Sequence, residues 1–180
     1  MKSYERPIAM TDIEASGDVP GVHEILEIGL VLFDQNTFEI IKTFNKKVKP
    51  LHIENAIPAA IKLNGYNEAD WKDATSLQDA MCEYAELTKE AIFCAYNVSF
   101  DWSFINQAFW QCQIPNPMST EANHDRFDLL SIAWIKGLRG KEKVSLRTAC
   151  ELWGVPPEPL PHSALNGAMT AYNLFKKLLS

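Results

Sequence analysis

Two carboxylates close together at the end of an apolar segment are the residues of this sequence most suited to chemistry. Asp12 and Glu14 end residues 7–16, with Ile13 between them. Residues two apart in a β-strand share a face, so both carboxylates point one way while Ile13 points into a core. Neighbouring carboxylates repel each other unless a cation lies between them. The pair is therefore a candidate metal site, and the alternative is a strand end with one hydrated face.

Two residues later in the chain are further candidates. Asp101 follows the apolar run 91–96 and begins a helix predicted over 101–112; the alternative is an acid that only stabilises the helix dipole. His162 stands at the start of a final helix predicted from residue 163. A helix N-terminus disfavours the charged imidazolium, so this position suits a general base. A surface or capping histidine is the alternative.

The elements that must position these residues form a mixed pattern. Strands are predicted over 7–16, 24–33, 38–48 and 91–96, and helices over 57–63, from 76, over 101–112, from 145 to 153 and from 163. Residues 127–137 carry a short strand and then a helix. Short turns join the first three strands, and strands then alternate with helices. This predicts an α/β fold with a mixed sheet, antiparallel in its first three strands and then parallel, flanked by helices. The apolar face of the final helix is predicted to contain Leu165, Ala168, Tyr172, Phe175 and Leu179.

Length and charge limit the classes of function. The 180 residues predict a single domain over 1–180. The net charge of −6 argues against a broad basic surface for gripping duplex DNA. The four cysteines form no Cys-x-x-Cys pair, no apolar run approaches the roughly 20 residues of a membrane helix, and the N-terminus has no signal-peptide apolar segment. A cytoplasmic protein with free thiols and no membrane partner is expected.

Four motifs, taken together, resemble those of the DEDDh (DnaQ-like) 3′–5′ exonucleases. They are Asp12-Ile13-Glu14, then Glu27-Ile28-Gly29, then Asn97-Val98-Ser99-Phe100-Asp101-Trp102-Ser103-Phe104, and finally Pro161-His162-Ser163-Ala164-Leu165. They occur in the order and with the approximate separations of that family, and they cover nearly the whole chain. Asp-x-Glu alone is a weak signal, whereas Asn-x-x-Phe-Asp-x-x-Phe is specific.

The resemblance implies a ribonuclease H-like fold and a metal-dependent exonuclease. It implies two Mg²⁺ or Mn²⁺ ions bound by four acids, among them Asp12, Glu14 and Asp101. His162 would activate water, and the 3′ end of the nucleic acid would lie near the backbone of Ala15 and Ser16.

One position departs from the family pattern. The fourth acid of the family stands five residues after the histidine, where this sequence has Gly167 followed by the expected Ala168. Positions three or four residues away on the same helix face carry no acid, so no neighbour on that helix replaces it. Weaker metal binding and slow hydrolysis, or none, are expected.

Three functions remain open at this point: a metal-dependent exonuclease, an inactive relative that binds nucleic-acid ends, and an α/β domain whose acids are merely hydrated. The expected partner is single-stranded nucleic acid with a free 3′ end. Phe100 and Trp102 beside Asp101 are candidates to stack on bases, although core packing is an alternative for both. The sequence leaves DNA versus RNA and a homodimer open.

Overall fold

The computed structural model describes residues 2–121 and 123–179, and it contains a five-stranded sheet. The strands are β1 (Ile8–Ala15), β2 (Ile25–Phe33), β3 (Ile40–Lys47), β4 (Ile92–Ala95) and β5 (Arg126–Asp128). Their order across the sheet is β3-β2-β1-β4-β5. β1 pairs antiparallel with β2, and β2 with β3, whereas β4 runs parallel to β1 and to β5. The predicted mixed α/β sheet is confirmed.

Helices cover both faces of this sheet. They are α1 (Pro58–Asn64), α2 (Leu77–Leu87), α3 (Val98–Gln111), α4 (Leu129–Ala133), α5 (Leu146–Trp153) and α6 (Ala164–Leu179). Short 3₁₀ turns lie at Ser3–Glu5 and Ile53–Asn55, and a π-helical turn, Trp134–Leu138, follows α4. Ser76 and Ser145 cap α2 and α5 as predicted, each accepting a hydrogen bond from the backbone three residues on. Neither of the two described segments contains a helix long and apolar enough to cross a membrane.

The centre of the sheet separates two apolar layers. β1 alternates between them: Ala9 and Ile13 pack in the layer under α2 and α3, while Ile8 and Met10 pack in the layer under α4, α5 and α6. Ile13 is 5% exposed, so the prediction that it points into the core is confirmed. Asp12 therefore leaves β1 on the side that α6 covers.

Two element boundaries and one residue of the predicted apolar face of α6 differ from the predictions. β3 begins at Ile40 and not at Phe38, because Phe38 has a φ of 59° and its ring stacks on Phe33. α3 begins at Val98, three residues before Asp101, since Asn97 in the left-handed conformation starts the helix directly after β4. Leu179 is 49% exposed and lies at the end of α6, whereas Leu178 is buried in its place.

Candidate active site

The two acids of β1 lie at the carboxyl end of the central strand. Asp12 pairs across the antiparallel ladder with Gly29, and Glu14 pairs with Glu27. Glu14 is 8% exposed and Glu27 is 3% exposed. Because these acids end a strand that neighbours the parallel strand β4, they stand at the sheet edge where α/β folds place their sites.

Asp101 joins the same site from α3. Its carboxylate is 3% exposed, and Oδ1 accepts a hydrogen bond of 3.1 Å from the backbone N–H of Ile13. That N–H lies between Asp12 and Glu14 in the chain. Asp101 thus fixes the first turn of α3 against the end of β1, which brings the predicted third acid to the other two.

The start of α6 is held by two carboxylates that sequence reasoning gave no role. Glu27 Oε2 accepts from the N–H of Ala164 at 3.3 Å, and Glu158 Oε1 accepts from the N–H of Ser163 at 2.9 Å. The first N–H groups of a helix have no partner within the helix, and its positive end favours anions. Gly29 allows this approach, because a Cβ there would collide with the backbone of Ala164.

His162 lies in the loop before α6, two residues ahead of Ala164, where the helix begins. Its backbone N–H donates to the carbonyl of Leu63 in α1 at 3.1 Å. Its Nδ1 lies 3.6 Å from Glu158 Oε2, and 28% of its side chain is exposed. The imidazole is therefore positioned by α1 and by the loop while remaining accessible.

Gly167 is buried on α6 and faces Asp12. A Cβ built on Gly167 would lie 2.7 Å from Asp12 Cγ and closer still to Oδ2. The Asp12 carboxylate therefore occupies the space into which a side chain at position 167 would project. Position 167 therefore lies beside Asp12, one of the candidate metal ligands.

A cavity of about 390 Å³ opens in front of these residues. Of the predicted site residues, those that line it are Asp12, Glu14, Ala15, Phe100 and His162. Glu158 and residues of α1 complete its wall. A single concave site thus joins the end of β1, the start of α3 and the approach to α6.

Two predicted substrate-binding residues are not among those that line this cavity. Ser16 is fully buried, and its Oγ accepts from the N–H of Glu24 at 2.8 Å. Trp102 packs edge-on against Phe93, with ring centroids 5.0 Å apart, and the Arg126 guanidinium lies 3.6 Å from its ring centre. Of the two predicted aromatic residues, Phe100 lines the cavity together with Tyr96, whereas Trp102 packs in the core.

Burial raises the pKa of Asp12, Glu14 and Asp101 in the site, and for Asp12 and Glu14 the neighbouring carboxylates raise it further. Burial raises the pKa of Glu14 to about 8, and the charges of Glu158 and Glu27 add to the shift. Burial also raises the pKa of Asp12 well above its usual value, followed by the charges of Asp101 and Glu14. Burial raises the pKa of Asp101 too, against the hydrogen bond from Ile13 that lowers it. The carboxylates are therefore crowded in a site that penalises their charge.

The donor set fits a divalent cation. Among the described residues, no lysine or arginine forms an ion pair with Asp12, Glu14, Glu27 or Asp101. The Arg147 guanidinium donates to the backbone carbonyl of Glu158 at 3.3 Å. Glu14, Glu158 and His162 offer ligand atoms that all lie within 4.8 Å of one another. Carboxylate oxygens are the ligands that Mg²⁺ and Mn²⁺ prefer. Glu158 is the member of this set that sequence reasoning missed, since it lies in a proline-rich loop with no periodicity to place it.

Comparison with known proteins agrees with this geometry. Residues 10–175 match the family model RNase_T, described as an exonuclease. The chain is 34% identical over 130 residues to the 3′–5′ DNA exonuclease Cap18 of Escherichia coli, covering 68% of this chain and 67% of Cap18. It is 26% identical over 179 residues to ribonuclease T of Shewanella sp. strain W3-18-1, covering 91% of this chain and 77% of that protein.

A solved structure shares the fold. Exonuclease I of Escherichia coli, determined with a dT13 oligonucleotide, superposes with a TM-score of 0.81 and 16% identity over 97% of this chain. The chain spans 41% of that protein. The ribonuclease H-like fold is thereby confirmed. By its sequence match over 10–175 and its relatives, the chain belongs to the DnaQ-like 3′–5′ exonuclease family, hydrolases that act on phosphodiester bonds at nucleic-acid 3′ ends.

Proposed function

We propose that this protein is a metal-dependent exonuclease that removes nucleotides from single-stranded 3′ ends in the cavity between β1, α1 and His162. The observation that carries the proposal is the meeting of Asp12, Glu14 and Asp101 at one sheet edge without a paired lysine or arginine among the described residues. A buried group of carboxylates is costly unless a cation or protons neutralise it. A nuclease site needs such a group.

Asp12, Glu14 and Asp101 would hold the Mg²⁺ or Mn²⁺ ions, of which two are expected for the family. Such ions supply charge neutralisation and orientation of the reacting phosphate when bound. Asp101 would also have a structural role. Its carboxylate accepts a hydrogen bond from the Ile13 N–H, which fixes the end of β1 that carries Asp12 and Glu14 against α3.

His162 is the proposed general base, which would take the proton from the attacking water. Its side chain is partly exposed at the cavity, and its backbone is tied to Leu63 of α1. A base must lie within hydrogen-bond reach of the water it activates, directly or through one further water. The loop holding His162 across the cavity from β1 supports this role.

The 3′-terminal nucleotide would lie along the backbone after Glu14. Ala15 lines the cavity, whereas buried Ser16 donates its backbone N–H to Glu24 and accepts from the N–H of Ile57, so it is proposed only to support the cavity wall. Phe100 is proposed to stack on a base, since it is partly exposed there. A cavity of about 390 Å³ is of small-molecule size and favours one unpaired nucleotide over a base pair.

Gly167 supports a second candidate, an inactive relative that binds 3′ ends without cutting them. No acid stands at that position, and Asp12 fills the space beside it. We favour slow hydrolysis over complete loss, because the carboxylates of four other acids remain near Asp12, namely Glu14, Glu27, Asp101 and Glu158.

The experiment is digestion of a 5′-labelled single strand, as DNA and as RNA, by excess protein with Mn²⁺. We expect products that shorten stepwise from the 3′ end, loss of products with a chelator, and loss with Asp101→Asn, whose Oδ1 keeps the bond to Ile13. A matched blunt duplex should be bound and cut less well. Equal binding and cutting of the blunt duplex, or full activity of Asp101→Asn, would count against the proposal.

A further inference from the structure

Glu158 brings a carboxylate to the cavity from outside the elements that carry the other acids. It lies in the loop between α5 and α6, and its side chain is 10% exposed. Oε1 accepts from the Ser163 N–H at 2.9 Å, and Oε2 lies 3.6 Å from His162 Nδ1. One oxygen is thus anchored to the start of α6, while the other remains on the cavity side.

Position 167 on α6 provides no carboxylate to the site, but Glu158 provides one beside the start of the same helix. Gly167 presents no side chain, and Asp12 fills the space before it. Glu158, held against Ser163 at the start of α6, lines the same cavity as Asp12 and Glu14. The cavity therefore has a carboxylate beside the start of α6 although position 167 provides none.

We propose that Glu158 supplies the metal-ligating carboxylate that position 167 lacks, binding a divalent cation together with Glu14. This inference rests on the proposed function and identifies how its metal site is completed. Ligand atoms of Glu14, Glu158 and His162 lie within 4.8 Å of one another. Two oxygens on opposite sides of an ion bound at about 2.1–2.2 Å are about 4.3 Å apart, so the spacing suits a shared ion.

The carboxylate of Glu14 gives an independent indication that a cation belongs here. Glu14 is 8% exposed and lines the cavity. In the described part of the chain, its carboxylate accepts no hydrogen bond and forms no ion pair, unlike Asp101 with its bond from Ile13. A buried carboxylate without a partner is rare because its charge is left uncompensated. A cation shared with Glu158 would compensate it.

His162 is kept outside the proposed ligand pair. Its nitrogen lies within the same 4.8 Å, which puts the proposed base beside the ion. The inference concerns the two carboxylates, so it is tested by metal binding in the absence of nucleic acid.

The test is titration of the full, metal-free chain with Mn²⁺, followed by the electron paramagnetic resonance signal of the free ion. Glu158→Gln keeps the size and the acceptor oxygen for Ser163 but removes the charge. We expect its Mn²⁺ affinity to fall about 10- to 100-fold. Glu151→Gln is the matched control, because Glu151 is exposed on α5 outside the cavity. It should bind as the parent does.

Two further variants separate a ligand from a mere neighbouring charge. Glu158→Asp keeps the charge but withdraws the oxygens by one methylene, so a ligand role predicts weaker binding than in the parent. Glu158→Gln combined with Gly167→Asp should recover affinity, because an acid returns to the site. Parent-like affinity in Glu158→Gln, or parent-like affinity in Glu158→Asp, would overturn the inference.

Failure of the proposed function would leave a different pattern. If the parent binds Mn²⁺ through Glu158 but never cuts a single strand, this inference stands and the exonuclease proposal fails. If the parent cuts and Glu158→Gln binds Mn²⁺ unchanged, the exonuclease proposal stands and this inference fails.

Discussion

Gly167 on α6 and Asp12 on β1 lie in direct contact, with the Asp12 carboxylate in the space that a side chain at 167 would take. A Cβ on Gly167 would come within 2.7 Å of Asp12 Cγ. Glycine inside a helix costs about 1 kcal/mol relative to alanine. The contact gives glycine a local reason to be there, because any larger residue requires Asp12 to turn away.

Gly167→Asp is expected to change the response of the protein to metal. Without metal, the added carboxylate meets Asp12 and adds repulsion, so the melting temperature should stay level or fall. With Mg²⁺ or Mn²⁺, the ion binds the folded state, and the metal-induced rise in melting temperature should exceed that of the parent. Gly167→Asn is the control, since it causes the same steric displacement without the charge. Equal metal-induced rises in all three proteins would place residue 167 outside the metal site.

His162→Ala is expected to remove most of the hydrolysis. Loss of a general base typically lowers the rate by a factor of about 10² to 10⁴. Binding of a single-stranded oligonucleotide should change little, because the proposed role of the imidazole is proton transfer. His124→Ala serves as the control, since His124 is exposed and does not line the cavity. A His162→Ala protein that digests at the rate of the parent would assign the base to another residue.

The metal-free protein should lose stability as the pH rises through the range in which Glu14 titrates. The pKa of Glu14 rises from a usual value of 4.5 to about 8 through burial and neighbouring charges. Between these values the folded state holds more protons than the unfolded state, so the free energy of unfolding falls as pH increases. The melting temperature of the apo protein should therefore be higher at about pH 5 than at about pH 8.

Metal should reverse this trend, because an ion binds the deprotonated carboxylates. The Mn²⁺-induced rise in melting temperature should be larger at about pH 8 than at about pH 5. Glu14→Gln should flatten the pH dependence of the apo protein. An apo protein whose melting temperature rises from about pH 5 to about pH 8 contradicts the assignment of a raised pKa to the site acids.

Phe100→Ala is expected to weaken the binding of a single-stranded oligonucleotide. Stacking of a base on an aromatic side chain is worth about 1–3 kcal/mol. Trp110→Ala is the control on the same helix, because Trp110 is 76% exposed and does not line the cavity. Fluorescence anisotropy of a labelled strand measures both. If Trp110→Ala loses affinity and Phe100→Ala does not, the single strand binds outside the cavity.

Much of the fold follows from local patterns in the sequence. The apolar strands β1, β2 and β4 and the capping serines of α2 and α5 are readable because each is a local signal. The meeting of Asp12, Glu14 and Asp101 follows from the rule that parallel strands end at one edge. Position 167 is identified by the resemblance, as the position five residues after His162 where the family has its fourth acid.

Glu27 and Glu158 could not be assigned a role in that way. Glu27 belongs to a strand that is buried throughout, so its contact with Ala164 depends on how α6 is packed on β2. Glu158 belongs to a loop, and its contacts depend on the path of the chain between α5 and α6. A replacement acid in a loop is not visible from the residues that share the helix face of Gly167. Trp102 shows the same limit, because its partner Arg126 lies 24 positions away on β5.

The rate at which a 5′-labelled single strand is shortened from its 3′ end, compared between the parent and Gly167→Asp with Mn²⁺, tests the central claim most directly. The parent should produce a ladder of products slowly, and Gly167→Asp should produce the same ladder faster, because the new acid adds a carboxylate to the metal site beside Asp12. A substrate that stays intact with both proteins would contradict the claim that this cavity is an exonuclease site.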